Sequence, residues 1–77
     1  MYPEGTLIDS NYKTLIVFEK DLNNPVNEGF VCYWDIDDKN IYKLIFKKRL
    51  SKEKAIQKIK SLLKDGWINT GENFKVA

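Results

Sequence analysis

Four short runs rich in β-branched and aromatic residues are followed by one run with helical spacing. Thr6-Leu7-Ile8-Asp9 reads as a short strand, and Thr14-Leu15-Ile16-Val17-Phe18-Glu19 as a second. Phe30-Val31-Cys32-Tyr33-Trp34-Asp35-Ile36 is a third, and Ile41 to Lys47 a fourth. Strand side chains alternate between faces. Phe30, Cys32, Trp34 and Ile36 therefore share one strongly apolar face, and Tyr42, Leu44 and Phe46 share one on the fourth strand. That even-numbered face is the expected core. Val31, Tyr33, Ile41 and Ile45 then fall on the other face, between Asp35, Lys43 and Lys47.

After Leu50 the apolar period changes. Ala55, Ile56, Ile59, Leu62 and Leu63 recur at helical spacing. Lys54, Gln57, Ser61 and Lys64 lie opposite this stripe, with Lys58 and Lys60 on its flanks. Ser51 is placed to cap the first turn, and Glu53 suits the positive end of the helix dipole. Gly66 falls where a helix stops in a left-handed residue, which brings Trp67 back toward Leu62. Trp67-Ile68-Asn69 can add a short strand.

Between these elements lie turn residues. Ser10 to Lys13 and Asp37-Asp38-Lys39-Asn40 read as tight turns. Lys20 to Gly29 is the longest loop, and Pro25 forbids a continuous ladder through it. The ends, residues 1–5 and 70–77, are expected to be loose. The pattern predicts one α+β domain over residues 1–77. It is a small antiparallel sheet of three to four strands with one C-terminal helix packed on one face. One helix leaves the second sheet face wet, covered by the 20–29 loop or the C-terminal tail, or free for a partner.

Length and composition limit what such a domain can do. At 77 residues, 43% of them apolar, the chain has one modest core. A domain of this size buries only about 60% of the surface its unfolded chain exposes. There is no histidine, which removes histidine acid–base catalysis and histidine metal ligation. The single cysteine, Cys32, excludes an intrachain disulfide and a multi-cysteine zinc site. Without a base beside it, Cys32 reads as a buried thiol rather than a nucleophile. Asp35-x-Asp37-Asp38-x-Asn40 departs from a calcium loop at Lys39, Asn40 and Phe46 and reads as a solvated turn. The four glycines are isolated, so no glycine-rich phosphate loop exists. No acid, base and nucleophile assemble, no cofactor is implied, and a non-enzyme is expected. The first twenty residues hold no basic start followed by a long apolar run, so no signal peptide is expected. The longest apolar run, Phe30 to Trp34, is far short of the roughly 20 residues of a membrane span. A soluble protein in the reducing cytoplasm is the expectation.

Charge adds the last piece. The net charge is +2, but it is unevenly spread. Residues 1–38 hold two lysines against eight acidic residues, and residues 39–77 hold eleven basic residues against three acidic ones. Such polarity steers acidic partners. Lys, Asn and Ile together fill 27 of 77 positions, a bias that an AT-rich genome produces without selection for function.

The run Leu44-Ile45-Phe46-Lys47-Lys48-Arg49-Leu50-Ser51, with Ala55, Leu62-Leu63 and Gly66-Trp67 after it, resembles a family of small uncharacterised proteins from marine picocyanobacteria. In that family a basic Lys-x-Arg-x-Leu-Ser stretch precedes an Ala-Ile helix ending in Gly-Trp. Here Lys48-Arg49-Leu50-Ser51 lacks the spacers, and Thr6 stands where the family tends to have tryptophan. The resemblance spans most of residues 5–70. It implies a cyanobacterial or cyanophage origin and no activity, because the family is a domain of unknown function.

Two functions remain. The first is a small non-enzymatic adaptor or regulator that binds another protein through the open sheet face or the lysine-rich helix. Its contact residues would be Val31, Tyr33, Ile41, Lys43 and Ile45. The alternative is a nucleic-acid-binding module on the basic 43–64 segment, using Lys47, Lys48, Arg49, Lys58 and Lys64, with steep salt dependence. A homodimer built by sheet-face or edge-strand pairing is compatible with either.

Overall fold

The computed structural model describes residues 1–70. Its elements are β1 (Gly5–Ile8), β2 (Thr14–Lys20), β3 (Glu28–Ile36), β4 (Tyr42–Ser51), α1 (Lys52–Lys64) and β5 (Ile68–Asn69). The strands form one open antiparallel sheet in the spatial order β4-β3-β2-β1-β5, with α1 on one face. The α+β class is as expected. The fourth strand is longer than its apolar run, because Lys48, Arg49 and Leu50 continue the ladder opposite Val31, Phe30 and Gly29.

Aspartates hold the turns. Asp9 Oδ1 accepts the backbone N–H groups of Lys13 at 2.8 Å and Thr14 at 3.2 Å, around Tyr12 in the left-handed region (φ 57). Asp37 Oδ1 accepts those of Lys39 at 2.8 Å and Ile41 at 2.9 Å, around Asn40 (φ 60). A short acceptor that folds back on its own turn is why aspartate recurs at such sites. The helix ends as its sequence predicts. The Ser51 hydroxyl accepts the Lys54 N–H at 3.5 Å. At the other end Gly66 has φ 94, Gly66 N–H donates to Leu63 O at 3.1 Å, and Trp67 N–H donates to Leu62 O at 3.0 Å. These two bonds satisfy helix carbonyls that would otherwise be unpaired.

The core lies on the opposite face of β3 from the one expected. Ala55, Ile59 and Leu62 of α1 pack with Leu7, Ile16, Phe18 and Val31, while Tyr33, Leu50 and Trp67 border the cluster. Cross-strand register puts Leu7, Ile16, Tyr33 and Phe46 in one row and Phe18, Val31 and Lys48 in the next. Phe30, Cys32, Trp34 and Ile36 therefore point away from the helix. Seating explains the choice. Ala55 and Val31 are both 0% exposed, small enough to let helix and sheet approach closely. Bulky Phe30 and Trp34 on that side would hold the helix off.

The amino terminus is anchored rather than loose. Tyr2 is 3% exposed, its O–H donates to Leu50 O at 2.9 Å, and its N–H donates to Pro25 O at 3.2 Å. The ring lies over Gly29, where a Cβ would overlap it. Burial, with the Glu28 carboxylate second, pushes the Tyr2 phenol up to about 12. At the other end Thr70 N–H donates to Thr6 O at 3.1 Å, tying Thr70 to β1. The rest of the expected loose tail, 71–77, lies outside the described residues.

Two substitutions test the anchor by chemical denaturation. Tyr2→Phe loses one buried hydrogen bond and is expected to cost about 1 kcal/mol. Tyr2→Ala also opens a cavity and is expected to cost about 3–5 kcal/mol. A frayed terminus would leave both variants at wild-type stability.

Candidate functional site

Every side chain that α1 does not cover must be stabilised within the sheet or remain open to a partner. On the uncovered face the rows are Ile8, Leu15, Trp34 and Leu44, then Thr6, Val17, Cys32 and Lys47, then Glu19, Phe30 and Arg49. Ile68 adds to the first row by pairing with Ile8. A shallow groove of about 510 Å³ runs along this face, lined by Leu15, Val17, Cys32, Trp34, Tyr42 and Leu44. Glu19 and Lys47 close one end, and the same two residues border a second hollow that reaches Leu22 and Phe30.

Charged groups protect part of this face. Lys47 Nζ lies 2.7 Å from Glu19 Oε1. That hydrogen bond and charge hold the Lys47 ammonium above its usual pKa. Cys32 Sγ donates to the same carboxylate oxygen at 3.6 Å. Burial first, and the Glu19 charge second, push the thiol pKa up, with Lys47 opposing. A thiol held in its neutral form is a poor nucleophile. Phe30 is flanked by cations, with Lys47 Nζ 4.7 Å and Arg49 Cζ 4.8 Å from its ring centre. Arg49 also reaches Asp21 Oδ2 at 2.8 Å and Glu28 Oε1 at 3.8 Å. Among the described residues, Phe30 and Cys32 are thus shielded by side chains of the sheet itself and its flanking loop. Tyr42 and Leu44 are not, and both are exposed.

β4 is the outermost strand on its side of the sheet. No described strand pairs with its outer edge, and every residue from Tyr42 to Arg49 is exposed. A bulge interrupts it: Tyr33 opposes Phe46 and Trp34 opposes Leu44, which leaves Ile45 as the extra residue. Tyr42 and Leu44 accordingly face the uncovered side, whereas Phe46 faces the helix side. The expected single face for Tyr42, Leu44 and Phe46 is corrected by this bulge. Phe46 stacks on Tyr33 with ring centres 4.4 Å apart, and Lys58 Nζ stands 5.6 Å from the Tyr33 ring centre.

The residues expected to bind a partner do not form one surface. Val31 is buried beneath α1, and Tyr33 lies between Phe46 and Lys58 at the edge of the core. Helix coverage of that face is the reason. Ile41, Lys43 and Ile45 are exposed, but Ile41 precedes β4 and Ile45 is the bulge residue. The basic residues of the nucleic-acid reading are also divided. Lys47 and Arg49 lie on the uncovered face in ion pairs, while Lys48 and Lys58 lie on the helix side. Lys64 ends the helix. Trp34, Tyr42 and Leu44, which strand alternation assigned to the core, instead form an apolar surface together with Leu15 and Val17. The signal that could have found it is the second strand, where Ile16 and Phe18 outweigh Leu15, Val17 and Glu19 as a helix seat.

Among the described residues no three histidine, cysteine, aspartate or glutamate side chains group to hold a metal ion, and no helix is long and apolar enough to cross a membrane. No family model, curated protein or solved structure matches this chain.

Asp21 holds the far end of β4. It accepts the Asn23 N–H at 2.9 Å and the Arg49 guanidinium at 2.8 Å, and these bonds, Asn23 first, lower its carboxyl pKa. A depressed folded pKa contributes stability above the unfolded value, which is lost as pH falls through the folded one. Acid titration of stability is therefore expected to show a component below about pH 4 that Asp21→Asn removes, with Asp21→Asn less stable at neutral pH. An identical acid limb in both proteins would refute this role.

Proposed function

We propose that the chain is a non-enzymatic adaptor or regulatory module that binds another protein by accepting an extended segment along β4. The observation that carries this reading is the outer edge of β4. It is ten residues long, unpaired by any described strand, and exposed from Tyr42 to Arg49. An edge of this kind presents a row of free N–H and C=O groups that an added strand satisfies. The apolar groove beside it, with Tyr42 and Leu44 on its rim, gives the added strand's side chains a surface to cover. The opposite edge differs, since β5 is only two residues long. The lack of histidine and the neutral Cys32 thiol support a binding role over a catalytic one.

The nucleic-acid alternative is weaker on the same geometry. Its cations lie on two faces, and Lys47 and Arg49 are occupied by Glu19, Asp21 and Glu28.

The double variant Tyr42→Lys/Leu44→Lys separates the readings. Both side chains are exposed, so melting by circular dichroism is expected to stay close to wild type. Pull-downs from host lysate, with and without nuclease, are expected to recover a nuclease-resistant partner with wild type and to lose it with the variant. Nuclease-sensitive capture that grows with the added lysines would reverse the assignment in favour of nucleic acid.

A further inference from the structure

Strand addition needs a match in charge and side-chain facing as well as free backbone groups, and β4 is selective in both. A second copy of the chain is a poor match. In an antiparallel two-fold pair, residues at equal distance from the centre oppose each other. Centring on Lys43, Lys47, Lys48 or Arg49 places that cation against its own copy. Like charges directly opposite are destabilising. Centring on Leu44, Ile45 or Phe46 runs the pair across the bulge, where Leu44 and Phe46 belong to different faces.

A strand bearing carboxylates has no such conflict. Lys43 and Lys48 lie on the helix side of β4, opposite Asp35 and Val31, and neither forms an ion pair among the described residues. Lys58 stands beside them over Tyr33, and Lys54 is one helical turn away on the same flank. Lys47 and Arg49, on the other side, are already matched by Glu19 and Asp21. Among the described residues, the β4 cations outside ion pairs are therefore on the helix side of the edge, where Lys43 has Asp35 as its cross-strand neighbour and Lys48 has only Val31. Leu44 and Phe46, each 44% exposed, supply apolar contacts on the two faces.

We infer that β4 takes an extended acidic–apolar segment of another protein, with carboxylates opposite Lys43 and Lys48 and apolar side chains opposite Leu44 and Phe46. The inference rests on the strand-acceptor reading above and adds the chemistry of the segment. An acidic segment meets ammonium groups that form no ion pair among the described residues, and a basic one meets like charge at the same positions. Repulsion of the wrong partner contributes to selectivity as much as attraction of the right one.

The test uses the full chain and two terminally blocked, fluorescently labelled peptides as long as β4, alike in valine opposite Leu44 and Phe46 and differing only at the positions opposite Lys43 and Lys48, glutamate in one and lysine in the other. Binding is read by anisotropy, and engagement of the edge by slowed amide hydrogen exchange in β4. The glutamate peptide is expected to bind, to slow the β4 amides, and to exceed the lysine peptide by at least about tenfold. Lys43→Glu/Lys48→Glu is expected to reverse that order. Equal or stronger binding of the lysine peptide, with the same slowing of β4, would overturn the acidic preference and leave the strand-acceptor reading intact. Glutamate-peptide binding without slowing of β4 would overturn the edge as the site and move it to the helix lysines. If neither peptide binds, the inference and the strand-acceptor reading fail together. Tighter binding of a short oligothymidylate, or a sedimenting dimer that by itself slows the β4 amides, would replace the acidic segment with nucleic acid or a second copy.

Discussion

A five-stranded sheet with apolar side chains on both faces has one helix to cover them. Everything else in this domain follows from where that helix sits. Ala55, Ile59 and Leu62 occupy the face that carries Ile16, Phe18 and Val31, a seat kept shallow by small side chains at its centre. No described element overlies the opposite face. It carries ion pairs and aromatic–cation contacts: Glu19 with Lys47, Asp21 with Arg49, and both cations against Phe30. Exposed pairs of this kind contribute little individually. Here they also shield Phe30 and Cys32. The shielding stops at Tyr42 and Leu44, and the candidate site begins there.

The helix was legible from end to end. Its apolar spacing, the Ser51 cap, and Gly66 followed by Trp67 are all local signals, and local physics fixes each of them. The strands were legible for the same reason, as β-branched runs between turns closed by Asp9 and Asp37. Which face the helix takes is not a local property. On β3 alone, Phe30, Cys32 and Trp34 outweigh Val31 and Tyr33 in apolar surface. Five strands and a helix must fit at once, and in that fit Leu7, Ile16 and Phe18 make the seat with the smaller Val31 beneath the helix. The bulge at Ile45 left no mark either, since no glycine or polar break interrupts Lys43 to Lys48.

Tyr2 marks a different limit of sequence reading. A single aromatic residue beside Pro3 has no periodicity to reveal it. Its burial depends on Gly29, far along the chain, leaving the backbone of β3 bare enough for a ring to lie on. The first residues thereby join the β3–β4 side of the sheet, through Leu50 O and Pro25 O, instead of trailing from β1. The charge imbalance between the halves of the sequence has a similar outcome. Antiparallel folding brings acids of the first half onto bases of the second, as in Glu19–Lys47 and Asp21–Arg49. Part of the apparent polarity, that of Lys47 and Arg49, is thus neutralised across strands. What survives is concentrated on the helix and on the helix side of β4.

Ser51 is both the last residue of β4 and the cap of α1, so no linker separates strand from helix. A joint without slack transmits displacement. Any twist or shift imposed on the outer strand reaches the first turn of the helix directly, and through Ala55 and Ile59 it reaches the core. The most accessible backbone and the most buried side chains of the domain are thereby joined through one residue.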